Sequence, residues 1–104
     1  MRCLLALSLL AVATGAASAQ NVSDPERGYF LATLICSDCH AIEPNDRVSP
    51  NGAAPTFQGV ANTSGISEIA LTVFFQTPHA TMPNIVLPTG DRRDLSAYIL
   101  SLKD

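Results

Sequence analysis

Toward the C-terminus, Leu95, Tyr98, Ile99 and Leu102 recur at i, i+3, i+4 and i+7, which sets them on one stripe of a helix. The pattern predicts a helix over 90–102 with Thr89 as its N-cap. A second helix is predicted over 24–35, carrying Phe30, Leu31, Leu34 and Ile35. Ser23 or Asp24 can cap it, Pro25 suits its first turn, and Ser23 with Glu26 has capping-box spacing. A third is predicted over 65–76, bounded by Thr77 before Pro78. No stretch alternates apolar and polar residues as a half-buried strand would, so the fold class expected is all-α with long loops. Pro44, Pro50, Gly52, Pro55 and Gly59 punctuate residues 43–65 as a loop, and Pro78, Pro83 and Pro88 do the same for 77–90. Loops this long in a small chain are functional or wrap something.

The first residues follow a different pattern. "MRCLLALSLLAVATGAASAQ" has one early positive charge, an apolar run and a small-residue ending at Ala17-Ser18-Ala19. That is the layout of a secretory signal peptide, with cleavage expected after Ala19. The apolar run is only about ten residues, short of the ~20 that a spanning helix needs. Residues 1–19, with Cys3, are therefore expected to be removed. Residues 20–104 remain as one domain, exported to the periplasm and not spanning a membrane. The formal net charge of −3 offers no basic face for nucleic acid. A domain of this size buries a small fraction of its surface, and it has no tryptophan. Such chains usually rely on a staple or a bound group.

The candidate group is indicated by "CSDCH", residues 36–40. Cys36 and Cys39, two residues apart and followed by His40, could form a zinc half-site, a redox dithiol or a c-type haem attachment site. A single short cysteine pair would staple little. Tetrahedral zinc needs four ligands, and His79 is the one further histidine. A thioredoxin-like dithiol is expected within a βαβ pattern, which the surrounding sequence lacks. For haem the chemistry is direct. Two thiols at this spacing can add to the two porphyrin vinyl groups, and the adjacent histidine then ligates the iron. Met82, followed by Pro83, is the sole methionine beyond Met1 and is expected as the opposite axial ligand. His/Met ligation favours ferrous iron and raises the potential. His79, close by, is the rival ligand and would lower it.

With those residues in view, the chain resembles the class I cytochromes c, close to the small monohaem bacterial periplasmic members, over nearly all of residues 23–103. The likeness rests on Cys36-Ser37-Asp38-Cys39-His40, "APTFQGV", Met82-Pro83 and the terminal "DLSAYILSLK". It implies a cytochrome c fold, with three main helices and long loops wrapped around one covalently bound haem c per chain. It implies that the carbonyl of Pro55 accepts a hydrogen bond from the proximal His40 ring and that Phe57 packs on the haem. It also implies that the first and last helices cross at Gly28, opposite Tyr98. Ala32 stands where the family often has an aromatic residue, and Phe30 is expected to supply that bulk. Phe57, Leu71, Phe74, Ile85, Leu87, Leu95 and Ile99 are expected as pocket walls, and Arg47 and Ser49 as propionate partners. The implied function is electron transfer rather than enzymatic catalysis, by a monomer that redox proteins meet transiently at an exposed haem edge. The alternatives are a haem subunit of a periplasmic dehydrogenase or oxidase, and a gas-binding haem protein with a labile Met82.

Overall fold

The computed structural model describes Gly15 and residues 22–104. The expected signal peptide, Gly15 apart, lies outside the described residues. Four helices and no strand occur among them, in line with the all-α expectation. Helix α1 spans Pro25–Ile35, α2 Phe57–Ala61, α3 Glu68–Gln76 and α4 Thr89–Ser101.

Three helix starts differ from the sequence pattern, each for a local reason. At α1, the Asp24 carboxylate accepts from the N–H groups of Glu26 and Arg27, at 3.0 and 3.1 Å. Asp24 is thus the cap and takes the free donors of the first turn, so the Ser23–Glu26 pairing is not used. At α3, Gly65 has φ +78°, a left-handed conformation that belongs to a turn rather than a helix. The helix begins instead after Ser67, whose hydroxyl accepts from the Ala70 N–H. At α4, Thr89 is the first helical residue and Pro88 the cap, with no side-chain acceptor. The proline's carbonyl takes the Arg92 N–H at 3.0 Å. Helix α2 stands where the sequence reads as loop. Thr56 caps it by accepting from the Gly59 N–H at 3.0 Å.

Helix α4 packs against the other three, most extensively against α1. Gly28 makes this crossing possible. A Cβ there would lie 2.0 Å from the carbonyl oxygen of Asp94 and 2.8 Å from the Cβ of Tyr98. Only a residue without a side chain fits where two backbones meet so closely. The crossing therefore falls at Gly28 and Tyr98, as the resemblance implies. Phe30 does not fill it and is 60% exposed. Two residues along a helix is a rotation of about 200°, which turns Phe30 away from the face that Gly28 presents. Leu31 and the fully buried Ala32 occupy the contact face instead.

Polar contacts lock the same junction. The Asp94 carboxylate accepts from the Asp24 N–H and from Arg27, both at 2.9 Å. Arg27 also pairs with Asp91 at 2.7 Å. The backbone bond from Asp24, followed by Arg27, holds the Asp94 carboxyl below its ordinary value despite its burial.

The core gathers Ala32, Phe57, Ala61, Leu71, Leu95 and Ile99 around α4. Of the expected pocket walls, Leu87 is also buried and Ile85 half-buried, whereas Phe74 is 44% exposed. Among the described residues no helix is long and apolar enough to cross a membrane.

Candidate functional site

Residues 36–40 continue α1 by one turn. The Cys36 and Ser37 N–H groups both donate to the Ala32 carbonyl. The Cys39 and His40 N–H groups then both donate to the Cys36 carbonyl, at 3.2 and 2.9 Å. The turn places Cys36, Cys39 and His40 just past the end of α1. Both cysteines are free. Cys36 is buried, and burial pushes its thiol up to about 11. Cys39 is exposed.

The segment that follows is clamped from two sides. The Asn51 N–H donates to the Cys39 carbonyl at 3.1 Å, and the Phe57 N–H to the Ala41 carbonyl at 2.9 Å. Between them, the Ala41 N–H donates to the buried Ser49 hydroxyl at 3.0 Å. His40 completes the clamp, with Nδ1 lying 2.7 Å from the Pro55 carbonyl oxygen. A carbonyl only accepts, so Nδ1 carries the proton and the lone pair of the neutral ring is on Nε2. A ring held in this way is oriented as a metal ligand, and the acceptor behind it makes Nε2 more basic. The Phe57 ring packs beside the imidazole with centroids 5.5 Å apart.

Met82 is half-buried in the 77–88 loop, on the wall of a cavity of about 360 Å³ that also touches Phe74, Phe75, Ile85, Leu87 and Arg92. His40 lines a different cavity of about 520 Å³, with Ser37, Ile42, Glu43, Val48 and Ser49. Neither of these two cavities is lined by both expected axial ligands. His79 has another engagement. Its Nε2 donates to the Phe74 carbonyl at 2.9 Å, and its ring stacks on Phe74 at 3.7 Å and 21°. That hydrogen bond places the proton on Nε2, the nitrogen that His40 leaves open.

The loop carrying Met82 is also anchored at its far end, where the Arg92 guanidinium donates to the carbonyl of buried Leu87. Of the expected propionate partners, Ser49 is buried and serves the Ala41 backbone, while Arg47 is exposed. No group of three or more His, Cys, Asp or Glu side chains is placed to hold a metal ion among the described residues.

Sequence pattern did not reveal the supporting bonds of Ser49 and Asn51, nor two phenol contacts on the same loop. Tyr98 Oη donates to the Ile42 carbonyl at 2.5 Å, and Tyr29 Oη to the Glu43 carboxylate at 2.6 Å. Each joins residues far apart in the chain, and no local spacing announces them. No protein-family model, curated protein or solved structure matches this chain.

Proposed function

We propose that the protein is a secreted electron carrier of the cytochrome c type, holding one covalently attached haem c. The single observation that carries this reading is the 2.7 Å bond from His40 Nδ1 to the Pro55 carbonyl, in the turn that holds both cysteines. His40 is half-buried, and the carbonyl behind it fixes the ring's direction as a ligand requires. The ring is tied at Nδ1 and leaves the Nε2 lone pair for an axial bond. Haem, when bound, supplies a one-electron couple between ferrous and ferric iron.

The chain's residues divide the remaining work. Cys36 and Cys39 form the thioether links, which prevent dissociation and fix the register of the ring. His40 supplies the proximal ligand, with Pro55 setting its orientation. Phe57, packed on the imidazole, keeps water from that side. Met82 supplies the second ligand, as a neutral soft donor that favours the ferrous state. Held by His40 and Met82 together, haem would offer no position for a substrate, and the protein would carry electrons rather than catalyse a reaction. Its partners are redox proteins that dock weakly at an exposed haem edge, over small interfaces. Export to the periplasm agrees with where such haem attachment takes place in bacteria.

A second reading is a haem protein whose distal position would open to a small gas ligand, since Met82 stands on the 77–88 loop rather than on a helix. Export of the full chain in a host with haem-attachment machinery tests the main reading. The purified protein should be coloured, low-spin when oxidised, and heavier than its chain by one haem. A colourless protein with the mass of the bare chain rejects both readings. A high-spin ferric spectrum rejects the first in favour of the second.

A further inference from the structure

A line of rings leads outward from His40 and ends at the surface. The Phe57 centroid lies 5.5 Å from the imidazole, Tyr98 6.4 Å from Phe57, and Tyr29 5.2 Å from Tyr98. Each step falls within the range of direct ring contact. Phe57 and Tyr98 are buried, whereas Tyr29 is 40% exposed.

The two phenols differ in what receives their hydrogen. Tyr98 donates to a backbone carbonyl, which holds a hydrogen bond but does not keep a proton. Tyr29 donates to the Glu43 carboxylate at 2.6 Å, within the reach required of a general base. A phenol that loses an electron becomes a strong acid, so the phenol with a base in place is the one that can be oxidised without leaving a charge behind. The carboxylate also favours the protonated phenol at rest, because it accepts the phenol's hydrogen bond and its negative charge opposes a second one.

We propose that Tyr29, with Glu43 as its base, is a proton-coupled one-electron redox site at the outer end of an aromatic path to His40. In the oxidising step, Tyr29 gives one electron to a one-electron oxidant. Its O–H bond breaks, and the proton moves along the hydrogen bond to Glu43. The products are a neutral tyrosyl radical and a neutral carboxylic acid, and a one-electron donor in solution reverses the step. Tyr98 and Phe57 keep their protons and serve as intermediate rings for the electron. Use of the path by an oxidising equivalent drawn from hydrogen peroxide rests on the haem proposed above, in the second reading, where the position opposite His40 would open. The Tyr29–Glu43 site itself does not.

Two measurements on the full mature chain test this, each read by electron paramagnetic resonance. In the first, a photo-oxidised ruthenium polypyridyl complex supplies the oxidant from solution. Wild type should give a tyrosyl radical, and Tyr29→Phe, which keeps the ring against Tyr98, should lose it. Glu43→Gln should form the radical about a hundredfold more slowly at neutral pH, the least that a positioned base contributes. An undiminished radical in Tyr29→Phe, or an unchanged rate in Glu43→Gln, overturns the site. In the second, hydrogen peroxide is added to protein whose haem content has been measured. The same radical should appear and should fall severalfold in Tyr98→Leu, which removes the middle ring. A signal that does not depend on Tyr98 overturns the path. A chain that carries no haem but still yields the Tyr29 radical in the first measurement rejects the haem reading and leaves the site standing.

Discussion

His40 Nδ1 and the Pro55 carbonyl oxygen lie 2.7 Å apart, across fifteen residues of sequence. The acceptor is a backbone group, so no side-chain substitution removes it outright. What Pro55 contributes is a fixed φ that holds its own carbonyl in place. Pro55→Ala should therefore loosen the bond rather than abolish it. Freeing the backbone should lower stability by about 0.4–1 kcal/mol. A weaker acceptor also makes the imidazole a poorer donor to ferric iron, so the reduction potential of the haem-loaded protein should rise. Urea unfolding and a redox titration of the same sample read the two effects separately.

Gly28→Ala should be strongly destabilising. The new carbon would lie 2.0 Å from a backbone oxygen of α4, and backbone does not give way as a flexible side chain does. Overpacking of this kind costs typically ~1–3 kcal/mol, occasionally more. Thermal unfolding followed by circular dichroism should show a fall in Tm. At Gly52, where nothing lies within 4 Å of the corresponding position, the same substitution should cause no such clash.

The crossing at Gly28 was expected from the family resemblance, and the cost of a glycine inside a helix agrees with a compensating contact there. The end of α1 beside the cysteines was legible from the helix pattern over 24–35. Other features were not. Phe57–Ala61 is too short to show a period and contains Gly59, so Thr56 was the one hint of a helix start. Gly65 read as part of α3 because its left-handed φ is set by the turn, which the hydrophobic pattern does not register. Phe30 was assigned to the α1–α4 contact by size, although its angle around the helix places it outside. The separate cavities of His40 and Met82 depend on how the 77–88 loop lies, and a loop has no period to read.

Acid should weaken the α1–α4 junction through Asp94. The folded protein holds this carboxyl below its ordinary value, so the unfolded chain binds the proton more readily. The resulting stabilisation is complete above the unfolded value of about 3.9 and is lost as pH falls through the folded value. The urea midpoint should therefore drop as pH falls below about 4. Asp94→Asn should lower stability at neutral pH and flatten this acid dependence. An equally steep profile in the variant would assign it to other carboxylates.

Alkali should act through Tyr98 with the opposite sign. Burial, with smaller contributions from Glu43 and Tyr29, pushes its phenol up to about 12. An unfolded tyrosine ionises near about 10. The folded state thus retains the proton longer, and its stability should decline as pH rises between those values. Tyr98→Phe keeps the ring but removes the bond to the Ile42 carbonyl, at a net cost of about 0.5–1.5 kcal/mol. Unfolding of the variant at neutral and alkaline pH should show lower stability at the first and a shallower decline toward the second.

The central claim is that this chain carries single electrons on a haem held by Cys36, Cys39, His40 and Met82. Its most direct test is a spectroelectrochemical titration of the mature protein. The account predicts one reversible wave with a slope of about 59 mV per tenfold change in the oxidised-to-reduced ratio, as a one-electron couple requires. It also predicts a low-spin oxidised spectrum with a methionine–iron charge-transfer band that disappears in Met82→Ala and persists in His79→Ala. A protein with no redox-active chromophore, or one whose oxidised spectrum is unchanged by Met82→Ala, would contradict it.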